Sequence, residues 1–283
     1  MSDREIRSAG SAVKDLYADV NGIHLYYQVH GQPGAGPPLI LLHGGLGQVA
    51  MFSEVLPLLA RTRQVIGVDL QGHGRTADID RPLRFEFMAD DVAALIGHLG
   101  LEQADLAGYS LGGGVALQTA VRHPDVVRKL VLISTPFRRS GWFPEVLEGM
   151  DQMVPEAAEV MKPSPIYQAY AAVAPRPEDF PRLVGKLGEL LREDYDWSLT
   201  ITEFDSPTLL VFGDADAIRP AHVLEFFERL GGGLRDAGLD GSGIPPRARL
   251  AVLPGTTHYN SFQSLLLAAV IPPFLAETDR AGG

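Results

Sequence analysis

Ser110 sits in Gly108-Tyr109-Ser110-Leu111-Gly112, with a glycine two places away on each side. A serine hydroxyl is a weak nucleophile at neutral pH and needs a neighbouring base before it can attack a carbonyl carbon. The stretch "ADLAGYS" reads as a buried strand, and "LGGGVALQTAVRHP" reads as a helix that begins at once and is closed by Pro124. Such a sharp strand-to-helix turn lifts the serine clear of the sheet and strains its backbone, so the residues two places away must be small. The first amides of the helix and its positive dipole end can stabilise an oxyanion. Ser110 is the candidate nucleophile; the competing reading is a glycine-rich structural turn.

The base should be a histidine on a loop after a strand. The chain has eight histidines. His24 and His30 fall in an N-terminal hairpin, His98 and His222 inside predicted helices, and His123 at a helix end where capping is its expected role. His43 and His73 end strands but stand beside glycines. His258 ends the last strand in "PGTTHYN" with a loop after it, and is the candidate base. A carboxylate must fix the tautomer of that base and stabilise its cation. "VFGDADAIRP" offers Asp214 and Asp216, which spacing alone does not separate.

These residues need a scaffold that brings strand ends together. Two alternating segments flank Asn21-Gly22, a strong hairpin signal. "PPLILLHGG", "QVIGVDLQGHG", "ADLAGYS" and "VRKLVLIST" are continuous apolar runs, as expected of strands buried on both faces. Helical stretches lie between them, at Val49 to Ala60, "FEFMADDVAALIGHLG" and "LGGGVALQTAVRHP". This alternation predicts an α/β fold with a parallel sheet covered by helices and ligands beyond the strands' carboxyl ends. The rhythm stops at Pro136. Residues 137–203 show helical fragments such as "FPRLVGKLGELLRED" and many aromatic and methionine side chains, and predict a helical insertion over the sheet. Strands resume at "SPTLLVFGDAD" and "ARLAVLPGTTH", separated by the helix "PAHVLEFFERL" and a glycine-rich loop at 231–247, and "FQSLLLAAVIPPFLAE" is the last helix. The residues up to about Ser11 read as a tail.

Composition narrows the chemistry. The formal net charge is −11, and no run of Lys or Arg offers a face to nucleic acid or an anionic membrane. With no cysteine, disulfides, thiolate catalysis and cysteine-ligated zinc are excluded. "MSDREIRSAGSAV" has no apolar core, so it does not read as a signal peptide. Leu265 to Ile271, the longest apolar stretch, is far too short to span a bilayer. A cytoplasmic protein is the expectation. "GHGRTA" spells a dinucleotide fingerprint after a strand, but "DIDRP" follows and prevents the helix that fingerprint needs. No cofactor or metal is expected. Arg138 and Arg139 are candidates for a substrate carboxylate, with a solvated role as the alternative.

Taken together, "LLHGGLG", "VDLQGHGRT", "GYSLGG", "VFGDADAIRP" and "PGTTHYN" resemble the α/β-hydrolase superfamily in order and spacing, over nearly the whole chain outside the insertion. The resemblance implies a mostly parallel sheet in a core of 1–136 and 204–283, with a helical cap at 137–203. It implies the chain order nucleophile, acid, base, and its spacing from Gly213 to Pro220 selects Asp216. It implies oxyanion donors at the Gly45 and Leu111 amides, or at Leu46 if the register shifts by one, and makes His43 structural. The implied activity is cleavage of a carboxylic ester with a fairly apolar acyl or alkyl part, through an acyl-enzyme on Ser110, with a small-molecule substrate as the partner. Lactonases, C–C bond hydrolases, acyltransferases, hydroxynitrile lyases and cofactor-free perhydrolases of the family use the same three groups. Serine at position 110 argues against its epoxide hydrolases and haloalkane dehalogenases, which carry Asp there. Leu46 stands where its proline iminopeptidases usually carry Pro. A ligand-binding protein with a vestigial triad is the non-enzymatic alternative.

Overall fold

The chain enters its sheet through the expected hairpin. Strands β1 (Lys14–Val20) and β2 (Ile23–His30) pair antiparallel, and the turn between them takes left-handed angles at Asn21 (φ +47°) and Gly22 (φ +79°). Such a turn matches the twist of the flanking strands. The computed structural model describes residues 13–34, 36–244 and 247–277, so the tail up to Ser11 lies outside the described residues.

Six further strands follow: β3 (Leu39–Leu42), β4 (Val65–Val68), β5 (Ala104–Tyr109), β6 (Val127–Ile133), β7 (Thr208–Ala215) and β8 (Ala248–Thr257). They assemble in the order β1-β2-β4-β3-β5-β6-β7-β8. β2 meets β4 antiparallel; from β4 onward every neighbour is parallel. The parallel strands' carboxyl ends therefore share one edge of the sheet.

The helices are α1 (Leu56–Leu59), α2 (Phe85–His98), α3 (Leu111–Arg122), α4 (Pro144–Asp151), α5 (Ala157–Met161), α6 (Pro165–Ala171), α7 (Phe180–Arg192), α8 (Pro220–Arg229) and α9 (Leu267–Ala276). Successive strand side chains point to opposite faces, and the apolar runs divide accordingly. Ile40, Leu42, Leu106, Leu130 and Leu132 face a core shared with α2, α3 and the inserted helices. Leu39, Leu41, Ala107, Val131 and Ile133 face a second core closed by α1 and α9.

The continuous helix expected over Val49 to Ala60 splits into a 3-10 turn at Val49–Phe52 and the short α1. Pro57 in the first turn of α1 lacks an amide to carry a helical ladder through from the preceding turn. The last helix starts later than "FQSLLL" suggested: Ser261–Gln263 forms its own 3-10 turn, and α9 then runs through Pro272 and Pro273. In the glycine-rich loop, residues 231–244 hold no helix or strand, and 245–246 lie outside the described residues.

Between 137 and 203 there are helices and no strand among the described residues, with two isolated bridges, Arg138 to Asp196 and Trp142 to Ile218. α7 is amphipathic. Its apolar face buries Phe180, Leu183, Val184, Leu187 and Leu190. Its polar side is bolted to the 78–81 loop: Lys186 donates to the Asp78 carboxylate (2.7 Å) and to the carbonyls of Ile79 (2.8 Å) and Arg81 (2.7 Å). Among the described residues no helix is long and apolar enough to cross a membrane.

Candidate active site

β5 ends at Tyr109 and α3 begins at Leu111, so Ser110 makes the whole turn. It takes φ +53° and ψ −114°, a conformation that costs a non-glycine residue of the order of 1–3 kcal/mol. Four hydrogen bonds hold it there. Its amide donates to the Ile133 carbonyl (2.9 Å), and its carbonyl accepts from the Gly113 amide (3.0 Å), the Gly114 amide (3.1 Å) and Thr135 Oγ1 (3.1 Å). The glycines are required by space. A Cβ on Gly108 would strike the Gly112 carbonyl, and one on Gly112 would strike the His43 carbonyl. Gly113 passes against Thr135, and Gly114 against the Phe85 ring.

His258 follows the last residue of β8. Its Nε2 lies 3.1 Å from Ser110 Oγ and its Nδ1 lies 3.0 Å from Asp216 Oδ1. With Nδ1–H donated to the carboxylate, Nε2 carries the lone pair that faces the serine hydroxyl. The backbone of the loop is clamped at one atom: the His258 carbonyl accepts from Tyr109 Oη (2.7 Å) and from Ser261 Oγ (3.2 Å). The Trp142 ring packs edge-on against the imidazole at 5.1 Å between centroids. Among the described residues His258 is the only histidine lining the cavity above Ser110.

The two aspartates that spacing left equivalent are placed differently. Asp216 Oδ2 accepts from Ser134 Oγ (2.6 Å) and from the Gly213 amide (3.2 Å). Burial alone would push this carboxyl up, but the His258 hydrogen bond and charge, the Ser134 hydroxyl and the Gly213 amide together hold it below its ordinary 3.8. Asp214 is exposed and accepts from the Thr256 amide (3.1 Å); backbone amides, led by that of Gly255, lower its pKa. It ties the end of β7 to β8 and does not reach His258.

Gly44 to Gly47 form a tight turn after β3, closed by the Gly47 amide donating to the Gly44 carbonyl (3.0 Å), with Leu46 at φ +57°. Gly45, Leu46, Ser110 and Leu111 all line the cavity. Among the described residues the amides of Gly45, Leu46 and Leu111 have no backbone acceptor outside helix and strand ladders. His43 sits behind this turn with Nδ1 donating to the Gly44 carbonyl (2.8 Å) and Nε2 accepting from the Leu70 amide (3.0 Å). Burial pushes it down to about 4, so it is a neutral brace between two loops. In "GHGRTA" no helix opens; the Asp69 carboxylate accepts from the Val49 and Arg75 amides (2.8 Å each) and folds the segment as a loop.

The cavity measures about 480 Å³. Of the insertion's aromatic and methionine side chains, Trp142, Met150, Met153, Tyr195 and Trp197 line it; Tyr167 and Tyr170 instead pack on Phe180 (5.0 and 5.1 Å). Arg138 and Arg139 do not line it. Arg138 forms a two-pronged pair with Glu225 (2.9 and 2.5 Å), and Arg139 pairs with Asp151 (2.6 Å).

Sequence reasoning missed Ser134, Ser261 and the clamp made by Tyr109. The available signal for Ser134 was a polar residue ending the apolar run "VRKLVLIS" at a strand's carboxyl end, the same place in its strand that Ser110 has in β5.

A family profile described as alpha/beta hydrolase fold matches residues 37–162. The chain is 32% identical over 252 residues to the pimeloyl-[acyl-carrier protein] methyl ester esterase of Neisseria meningitidis serogroup C, covering 82% of this chain and 93% of that protein. It is 38% identical over 122 residues to a 2-hydroxymuconate semialdehyde hydrolase from a Pseudomonas species, covering 42% of each. Among solved structures, a thermophilic esterase from Thermogutta terrifontis superposes with a TM-score of 0.68 at 23% identity, covering 94% of this chain and 98% of that one. The chain belongs to the α/β-hydrolase fold family.

Proposed function

We propose that the chain is a serine hydrolase that cleaves small carboxylic esters with a fairly apolar acyl or alkyl part, through an acyl-enzyme on Ser110. The observation that carries this reading is the unbroken run from Ser110 Oγ through both nitrogens of His258 to Asp216, at 3.1 and 3.0 Å, on the floor of a largely apolar cavity. The methyl ester esterase among the relatives supports an ester as the bond cleaved.

In this reading His258 Nε2 takes the proton of Ser110 as Oγ attacks the ester carbonyl. The Gly45 and Leu111 amides donate to the resulting oxyanion, and Asp216 stabilises the imidazolium. His258 then passes its proton to the leaving alkoxide, and the C–O bond breaks. A water enters, gives a proton to His258 and attacks the acyl carbon; collapse returns the proton to Ser110 and frees the acid. Protein groups supply every step, so the reaction calls for no cofactor. Segment 137–203 serves as the cap over the core of 1–136 and 204–283, roofing the cavity with α4 and α7. A place in the cytoplasm is part of this reading, and the lack of cysteine in the sequence is compatible with a reducing compartment.

The test is a fluorophosphonate followed by intact and peptide mass, with Ser110→Ala alongside. The expected result is one adduct on the Ser110 peptide, absent in the variant, together with Ser110-dependent hydrolysis of a nitrophenyl hexanoate. A folded protein that takes no label and turns over no ester overturns the proposal.

A further inference from the structure

Among the described residues, one ionisable side chain outside the reacting groups and the tyrosines lines the cavity, and it is an acid. Glu145 lies in the first turn of α4, is exposed, and has no hydrogen-bond or ion-pair partner among the described residues. It shares the cavity's solvent-facing edge with the exposed side chains of Tyr259 and Ile166, which are 71% and 45% exposed. Inward of that edge the walls are Trp142, Val146, Met150, Met153, Leu187 and Leu191.

Cations that adjoin the lining residues are committed elsewhere. Arg138 is held by Glu225, Arg139 by Asp151 and the Leu191 carbonyl, and Arg84 by Glu193 (2.9 Å). On α7, Lys186 is held by Asp78 and the carbonyls of Ile79 and Arg81. Among the described residues no Lys or Arg lines the cavity.

Resting on the proposed ester hydrolysis, we propose that Glu145 makes this site selective for esters whose acyl group ends without charge, and discriminates against acyl groups ending in a carboxylate. Two effects act in the same direction. A carboxylate carried inside loses its hydration to walls that offer it no counter-charge, which is costly for any unpaired ion. A carboxylate left at the mouth meets the negative charge of Glu145, a repulsion that falls with ionic strength because the mouth is exposed to solvent. Glu145 also sits where the dipole of α4 favours an acid, so a purely structural role is the competing explanation. That role does not depend on the charge of the substrate.

The experiment compares nitrophenyl hexanoate with the nitrophenyl half-ester of adipic acid, whose acyl chain is the same length but ends in a carboxylate. The read-out is the ratio of their kcat/KM values in the same sample, at low and high salt. The wild type should favour the neutral ester by roughly 30-fold or more at low salt, less at high salt. Glu145→Gln should shrink the ratio about fivefold, and Glu145→Lys further. Turnover of the neutral ester in each sample shows that the variant is folded. A wild type that takes both esters within threefold, or a ratio unmoved by Glu145→Lys, overturns the selectivity while leaving ester hydrolysis intact. Failure of both esters in folded wild type would instead sink the hydrolase reading and the selectivity with it.

Discussion

Removing the Ser134 hydroxyl separates holding the acid from performing the chemistry. Ser134 is fully buried, and its Oγ donates to Asp216 Oδ2 at 2.6 Å. It does not line the cavity. In Ser134→Ala, Oδ2 keeps only the longer bond from the Gly213 amide (3.2 Å), and Oδ1 keeps His258. A hydrogen bond to a charged group contributes about 1.5–3 kcal/mol. If about 2 kcal/mol of that is felt when the imidazolium forms, kcat falls roughly 30-fold. KM should stay within about twofold, because no substrate contact is lost. The backbone supplies a control. Ser134 has φ +51°, a left-handed angle that glycine adopts freely and alanine does not. Ser134→Gly and Ser134→Ala should therefore share the same fall in kcat yet differ in stability by about 1 kcal/mol, with glycine the more stable. Steady-state kinetics on nitrophenyl hexanoate and urea denaturation of each variant make the comparison. If both variants keep wild-type kcat, or if the loss appears in KM alone, the Ser134–Asp216 bond does not position the acid and the reasoning fails.

The two aspartates should part sharply: Asp216→Asn should lower kcat by about 10³–10⁴-fold, while Asp214→Asn, whose carboxylate only ties β7 to β8, should stay within about threefold in the same assay. Stability should fall in acid because of His222, which is 2% exposed and pushed down to about 4 by burial and then by the charge of Arg138. The unfolded chain takes up this proton near 6.5 and the folded chain resists until about 4, so stability is full above 6.5 and erodes by roughly 3 kcal/mol on the way down. His222→Gln, which can still accept from the Phe137 amide, should remove that share of the slope in denaturation curves between pH 7 and 4; an unchanged slope would show that the histidine is not the proton acceptor.

The parallel sheet was legible because burial on both faces leaves a plain mark, an unbroken apolar run bounded by Gly or Pro. α7 was legible for the same reason in helical form, since Phe180, Leu183, Val184, Leu187 and Leu190 keep its period. Legibility ended where two roles draw on one residue type. Met150, Met153 and Met161 all pack against the core, yet only Met150 and Met153 line the cavity, and nothing in a methionine's chemistry or local spacing separates the two fates. The fates of Arg138 and Arg139 were closed to sequence because their acids, Glu225 and Asp151, are chosen by tertiary packing.

At the candidate site the same division can be followed residue by residue. Ser110 and His258 stood out because their immediate neighbours already imply a turn and a strand end. From the residues alone Asp214 and Asp216 did not separate, because residues two apart on a regular strand share a face; only the family resemblance chose Asp216. The strand is not regular there: the β7–β8 register shifts between Gly213 and Ala215, where Gly213 passes so close to the Thr256 carbonyl that a Cβ would strike it. The extra residues are on β8, which advances from Leu253 to Thr257 while β7 advances from Gly213 to Ala215. Past this break in the ladder Asp216 bonds His258, and Asp214 bonds the Thr256 amide of β8. Ser134 was hidden for a related reason. Tyr109 and Ile133 are paired across β5 and β6, so Ser110 and Ser134 follow as consecutive ends of neighbouring strands, with φ of +53° and +51°. Backbone strain in non-glycine residues leaves no mark in composition, and glycines flank only one of the two turns. Strained serines side by side, one facing the cavity and the other bonded to Asp216, are what the proposed chemistry requires: relaxing either backbone would swing a hydroxyl away from His258 or from Asp216.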